Sequence, residues 1–434
     1  MNLEAGLAGI AVLLVLLVLR LPVALALMAV SVGGTAWMLG WTPAFGILSS
    51  TPYGFASNWT LSAVPMFLLM GFVAYHSGLT TGLFNAAKAV FRVIPGGLAI
   101  SSVFACSGFA AVCGSSLACA AAMGRIAIPE MVRAGYKPSF ACGALAAGGT
   151  IGALIPPSIL MIVYGVFAET SITQVFLGGI TVGIVTAIGY SIVILLVAWL
   201  RPDIIPARAI AGEALSIRKA LAEIWPLIVL GFLVFGGLFG GFFTATEAGA
   251  IGATGAIIIA WASGRLGWAE LRRSLLETLS TSSGLFIIGV GAAMFTRFLG
   301  ISGAGAFIAS SVNGLDLSFF GLMAIVVLVY LFLGMFMEPF GAMLVTLPVF
   351  LPVFARIDID LVWFGVLLTK LLEIGMITPP LGMNVFVIRG VASRYASLAD
   401  IFRGVSVFLV ADLFIVALVI VWPDMVLYLP SLGK

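Results

Sequence analysis

The sequence predicts an all-α polytopic membrane protein built from two inverted repeats. Three observations carry that prediction. Of 434 residues, 62% are hydrophobic and 9% are charged, whereas a soluble globular domain carries about 25% charged residues. Loops that hold lysine and arginine alternate with loops that hold none. A double proline interrupts an apolar stretch twice, in "GGTIGALIPPSIL" at Gly148–Leu160 and in "GMITPPLGM" at Gly375–Met383.

The mean hydropathy is +1.25, and apolar runs long enough to cross a bilayer recur along the chain. They lack the polar–apolar alternation over about ten residues that marks a membrane β-barrel strand. The opening run Leu7–Leu19 is like a signal-peptide core. It has no basic flank before it and no small-residue cleavage site after it, so a retained span is expected. The net charge of +3 is spread through loops, which argues against a nucleic-acid partner. Cys106, Cys113, Cys119 and Cys142 form no CxxC pair and His76 is the sole histidine, so buried thiols are expected and a zinc site is not. No GxxxxGK[ST] loop is present, which argues against nucleotide hydrolysis by this chain. An enzyme is not expected either, because no nucleophile has a base to activate it. A channel would need a continuous polar path, and no ring-forming polar repeat is visible.

Basic residues collect in cytoplasmic loops. On that rule Gly40–Trp59, Phe167–Gln174, Gly240–Glu247 and Ser302–Asp316 are periplasmic. Lys88, Arg92, Arg133, Lys137, Arg265, Arg272, Arg273, Arg394 and Arg403 are cytoplasmic. Arg201, Arg208, Arg218 and Lys219 mark a cytoplasmic linker over 201–223, read as an amphipathic helix on the membrane surface. The alternation implies about ten full spans with both termini periplasmic.

Two segments begin and end on one side. Ile94–Met131 turns at "CGSS" and Leu317–Phe354 turns at "MEPFG"; each has a short return arm, so both are predicted as re-entrant hairpins over 94–131 and 317–354. Broken helices follow at 139–168 and 360–390. A shift of 223 positions places Pro129 on Pro352, Pro156 and Pro157 on Pro379 and Pro380, and Ser115 on Glu338. The chain therefore reads as one transport domain over 1–434, with repeats at 61–200 and 275–428. The first hairpin opens to the cytoplasm and the second to the periplasm, the pattern of secondary transporters.

A helix broken inside lipid frees carbonyls and amides that only a cavity or an ion can satisfy. The carbonyls of Gly152, Ile155 and Pro156, with hydroxyls of Ser115 and Ser116, offer one oxygen site. Gly334, Gly375, Thr378 and the Leu381 carbonyl, near the tip at Glu338, offer another. Oxygen ligands without a carboxylate suit Na⁺ better than a divalent ion. Among the charges in apolar surroundings, Arg297 is the candidate clamp for an anionic substrate. Glu338 is expected to hold Arg297 when the site is empty, and Ser115 to share in substrate binding. Arg125 is read as snorkelling to the headgroups. Lys370 and Glu373, three apart on one helix, are expected to neutralise each other. Thr244 and Glu247 have capping-box spacing.

"FAAVCGSSLACAAAMGRIAIPEMVRAGY", "GGTIGALIPPSI" and "EIGMITPPLGMNVFV" resemble the large membrane subunit of tripartite ATP-independent periplasmic (TRAP) transporters, and the resemblance covers nearly the whole chain. It implies an elevator-type ion-transporter fold in a bacterial inner membrane, with Na⁺ as the coupling ion and no organic cofactor. It implies three partners: a separate small membrane subunit of about four spans, a periplasmic substrate-binding protein, and an organic acid as substrate. Carried over by position, Ser115, Gly152, Ile155 and Pro156 would form one sodium site and Gly334, Gly375, Thr378 and Leu381 the other. A small or polar residue is expected where Arg125 stands. A sodium-coupled carboxylate carrier that works without a binding protein is the alternative.

Overall fold

The computed structural model describes residues 3–206, 217–315, 317–355 and 357–432, and they are helical throughout, with no strand among them. Arg208 and the centre of the predicted linker lie outside the described residues, as does Asp316.

The chain opens with α1 (Leu3–Val18), α2 (Val23–Leu39) and the surface helix α3 (Trp41–Ala56). The span α4 (Ala63–His76) leads into the short α5 (Gly82–Phe91). Next come α6 (Gly97–Cys113) and α7 (Ser116–Arg133), joined at Gly114–Ser115. Gly114 has φ +62°, a conformation that favours glycine, and so the chain reverses within two residues. Then α8 (Pro138–Thr150) runs through a 3₁₀ turn to the double proline, and α9 (Ile159–Phe167) resumes beyond it under the Ser158 cap. The long α10 (Ile172–Leu200) ends this half.

The second half opens with α11 (Ile217–Phe239), α12 (Ala245–Ala262), α13 (Trp268–Ser302) and the short α14 (Ala304–Asn313). The Thr244–Glu247 capping box that starts α12 is formed as its spacing predicts. Then α15 (Phe319–Phe336) and α16 (Pro339–Phe354) meet at Met337–Glu338. The second break separates α17 (Leu361–Gly375) from α18 (Met383–Val391), before α19 (Leu398–Val421) and α20 (Asp424–Leu432). Pro156–Pro157 and Pro379–Pro380 are both cis.

Among the described residues, six helices are each long and apolar enough to cross a membrane: Trp59–His76, α10, α12, α13, α15 and α19. Setting aside α15, which belongs to a hairpin, and adding α1, α2, α11 and the two interrupted helices reaches the expected crossings. α4 packs against α12 and α13, and α13 against α2. Among the hairpins and broken helices, α8 packs on α7 and crosses α19 at bare backbone. A Cβ on Gly404 would stand 1.9 Å from the Ser139 carbonyl oxygen, so only glycine allows this approach. At the basic end of α8, Lys137 donates to Asp203 at 2.6 Å. That bond and one from Arg201 hold the Asp203 carboxyl down at about 2.

Candidate functional site

Both hairpin tips and both helix breaks converge on one cavity of about 540 Å³. Ser115 and Ser116 line it from the first tip, Glu338 and Pro339 from the second, Ala153 and Ile159 from the first break, and Glu373 and Met376 from the second. Leu68, Phe72 and Tyr75 of α4 and Glu277 to Ile288 of α13 close the other wall. These are the halves of α4 and α13 nearest the basic loops, so the cavity lies towards that side and access from there is the expectation. The helices α7, α9 and α16 all begin at its edge, and the partial positive charge of helix N-termini favours an anion there.

Each break is fitted to a hairpin through a glycine. A Cβ on Gly152 would lie 3.0 Å from the Ser115 carbonyl oxygen and 3.1 Å from Ser116 N. A Cβ on Gly375 would lie 2.5 Å from Gly334 Cα. These glycines are themselves related by the 223-residue shift. The structure thus brings Ser115, Ser116 and Gly152 together, and Gly334 with Gly375. Pro156 is buried and Ile155 packs on Gly183 of α10. Thr378 turns its hydroxyl to the Ile374 carbonyl at 2.6 Å, and the Leu381 side chain is largely exposed. Ser115 also caps α7, its Oγ accepting from Ala118 N at 3.4 Å.

Two expectations need correction. Arg297 does not meet Glu338: it is exposed, and its Nη1 donates to Ser50 of α3 at 3.2 Å. It lies nine residues beyond the lining residue Ile288, which puts it about 180° around α13 and away from the cavity. Glu338 lines the cavity without Arg297 beside it. Lys370 is neutralised not by Glu373 but by Asp412 of α19, and both partners are wholly buried. Three residues separate two side chains by about 60° around a helix. That lets Lys370 face α19 while Glu373 faces the first tip and accepts from Ser116 Oγ at 3.1 Å. Tyr190 of α10 donates to the same Asp412 carboxylate at 2.9 Å and stands 3.2 Å from the Thr150 hydroxyl at the first break. Asp412 is absent from the candidates drawn from sequence, although an acid inside the apolar run of α19 is itself a signal that a partner waits in the interior. Arg125 is exposed, one turn past the lining residue Ala121 on α7.

This architecture, two hairpins and two broken helices gathered round one cavity in a polytopic chain, defines a secondary transporter. The profile of the family described as "Tripartite ATP-independent periplasmic transporter, DctM component" matches residues 10–425. The chain is 37% identical over 334 residues to the C4-dicarboxylate TRAP transporter large permease protein DctM of Pseudomonas aeruginosa, covering 76% of this chain and 77% of that one. It is 32% identical over 383 residues to the sialic acid TRAP transporter large permease protein SiaM of Vibrio cholerae, covering 87% and 88%. The Alcanivorax borkumensis YdaH transporter shares the fold, with a TM-score of 0.65 at 18% identity over 89% of each chain. The protein belongs to the DctM family and is a TRAP transporter large permease, not an enzyme.

Proposed function

We propose that this permease imports an organic acid across the bacterial inner membrane by coupling it to Na⁺. The observation that supports this reading most is the convergence of both hairpin tips and both helix breaks on a single cavity. Backbone oxygens at the two breaks beside this cavity would suit a hard monovalent cation. Helix N-termini, rather than an arginine, meet the substrate's negative charge. Relatives are named for C4-dicarboxylates, isethionate and sialic acid, which fits an organic acid for this chain. The hairpins and broken helices move as one body past the wall made by α2, α4, α12 and α13, as in an elevator. Both termini are periplasmic, a small membrane subunit of about four spans braces the wall, and a periplasmic binding protein delivers the substrate.

The test is uptake by proteoliposomes that hold the permease with its small subunit and receive loaded binding protein. Uptake should require an inward sodium gradient and no nucleotide. Excess Na⁺ entry would also make it voltage-sensitive, by about 2.3 kcal/mol per charge across 100 mV. Equal uptake in sodium-free buffer would remove the coupling from this reading.

A further inference from the structure

Among the described residues, one fully buried carboxylate forms no salt bridge. Glu373 is 1% exposed. Its Oε1 accepts from Ser116, and its Oε2 is buried without a hydrogen-bond partner. Lys370, a turn away on the same helix, is committed to Asp412. The cavity that Glu373 lines has no lysine or arginine in its wall. The position 223 residues earlier is Thr150, a neutral hydroxyl beside Tyr190, so only the second repeat carries a charge here.

An unpaired carboxylate in such surroundings is costly unless it takes up a proton or a cation meets it. We propose that Glu373 is a cation ligand: its free oxygen and the Ser116 hydroxyl hold a hard monovalent cation at the junction of the two repeats. The donors are all oxygen and carry one formal charge. Divalent ions are usually held by more carboxylates than one. Ser116 belongs to the first hairpin and Glu373 to the second broken helix, so the bound cation clamps one repeat to the other. This inference rests on the sodium-coupled reading above and adds to it one side-chain ligand, Glu373, which meets the first oxygen site through Ser116.

The purified full-length chain is titrated with NaCl at constant ionic strength, balanced with choline chloride, and its melting temperature is followed. A ligand that binds only the folded state raises that temperature by mass action. Glu373→Gln keeps the shape and the bond from Ser116 but removes the charge. Its melting temperature in choline alone should equal or exceed that of the wild type, while its sodium midpoint rises by about tenfold or more. If this variant is less stable in choline, Glu373→Asp, which keeps the charge and retracts it, decides instead; a sodium midpoint raised by about threefold or more supports the site. A wild-type midpoint in the deciding variant overturns the proposal and leaves sodium coupling standing. No sodium response in the wild-type chain overturns both.

Discussion

Lys370 on α17 donates to Asp412 on α19, and neither side chain reaches the surface. The pair joins a broken helix to a full span, and through Tyr190 and Thr150 it extends to the break in the other repeat. Removing one partner leaves the other charge buried and alone, which costs about 3–5 kcal/mol, whereas apolar replacement of both is often close to neutral. Asp412→Asn should therefore lower the melting temperature of the solubilised protein sharply. The double variant Lys370→Met with Asp412→Leu should recover most of it. A double variant less stable than the single would show that the pair stabilises the fold in its own right.

The glycines at the breaks rank by what a methyl group would strike. At Gly375 it would lie 2.5 Å from Gly334 Cα, and at Gly152 3.0 Å from the Ser115 carbonyl oxygen; at Gly390 nothing lies within 4 Å. Backbone cannot yield as a flexible side chain can. Gly375→Ala should lose the most folded protein and uptake, Gly152→Ala less, and Gly390→Ala little, within about 1 kcal/mol and in the stabilising direction where helix propensity dominates. Membrane yield and uptake measured in parallel would check the order, and equal effects at Gly375 and Gly390 would refute the close packing.

The repeat, the hairpin turns and the glycine-lined breaks were legible because each leaves a mark along the chain: paired prolines, short return arms, basic loops. Side-chain pairing was not. Lys370 and Glu373 stand three apart, and spacing alone favours a bond between them. Which way each points depends on α19 and the first hairpin tip, and those neighbours come from residues 412 and 116, far off in the sequence. Arg297 misled for a related reason. Its place near a span end was readable, but its face of α13 was set by which residues line the cavity.

Cavity access gives a directional prediction. Ser280 lines the cavity on the half of α13 next to Arg265, Arg272 and Arg273. The four native cysteines are buried and should stay silent. A membrane-impermeant thiol reagent should label Ser280→Cys from the side bearing those arginines, in the state seen here. Labelling only from the opposite side would place the opening wrongly.

Arg297 separates two roles by chemistry. An arginine that clamps a carboxylate cannot be replaced by lysine, which lacks the planar fork. An exposed arginine bonded to Ser50 can be. Arg297→Lys should keep near-normal uptake at matched expression, and Arg297→Ala should cost no more than about 1 kcal/mol of stability. Loss of uptake in the lysine variant would return Arg297 to the substrate path.

Ser115 carries two tasks that a single alanine substitution confuses. Its hydroxyl caps α7 through Ala118 N, and it lines the cavity beside Gly152. Loss of a cap to alanine costs about 1 kcal/mol, while glycine at the same position costs only a few tenths. Neither residue offers an oxygen to an ion. If Ser115 is both cap and ligand, Ser115→Ala should be less stable than Ser115→Gly in sodium-free buffer, and both should need more Na⁺ for half-maximal stabilisation. The shift should be comparable in the two, because each lacks the same oxygen, and on the order of 1–3 kcal/mol by analogy with a buried polar group left unpaired. Thermal melting across a sodium titration reads the two effects separately, as the starting temperature and as the midpoint. A glycine variant with a wild-type midpoint would reduce Ser115 to a helix cap, and the oxygen site at the first break would then rest on Ser116 and the backbone alone.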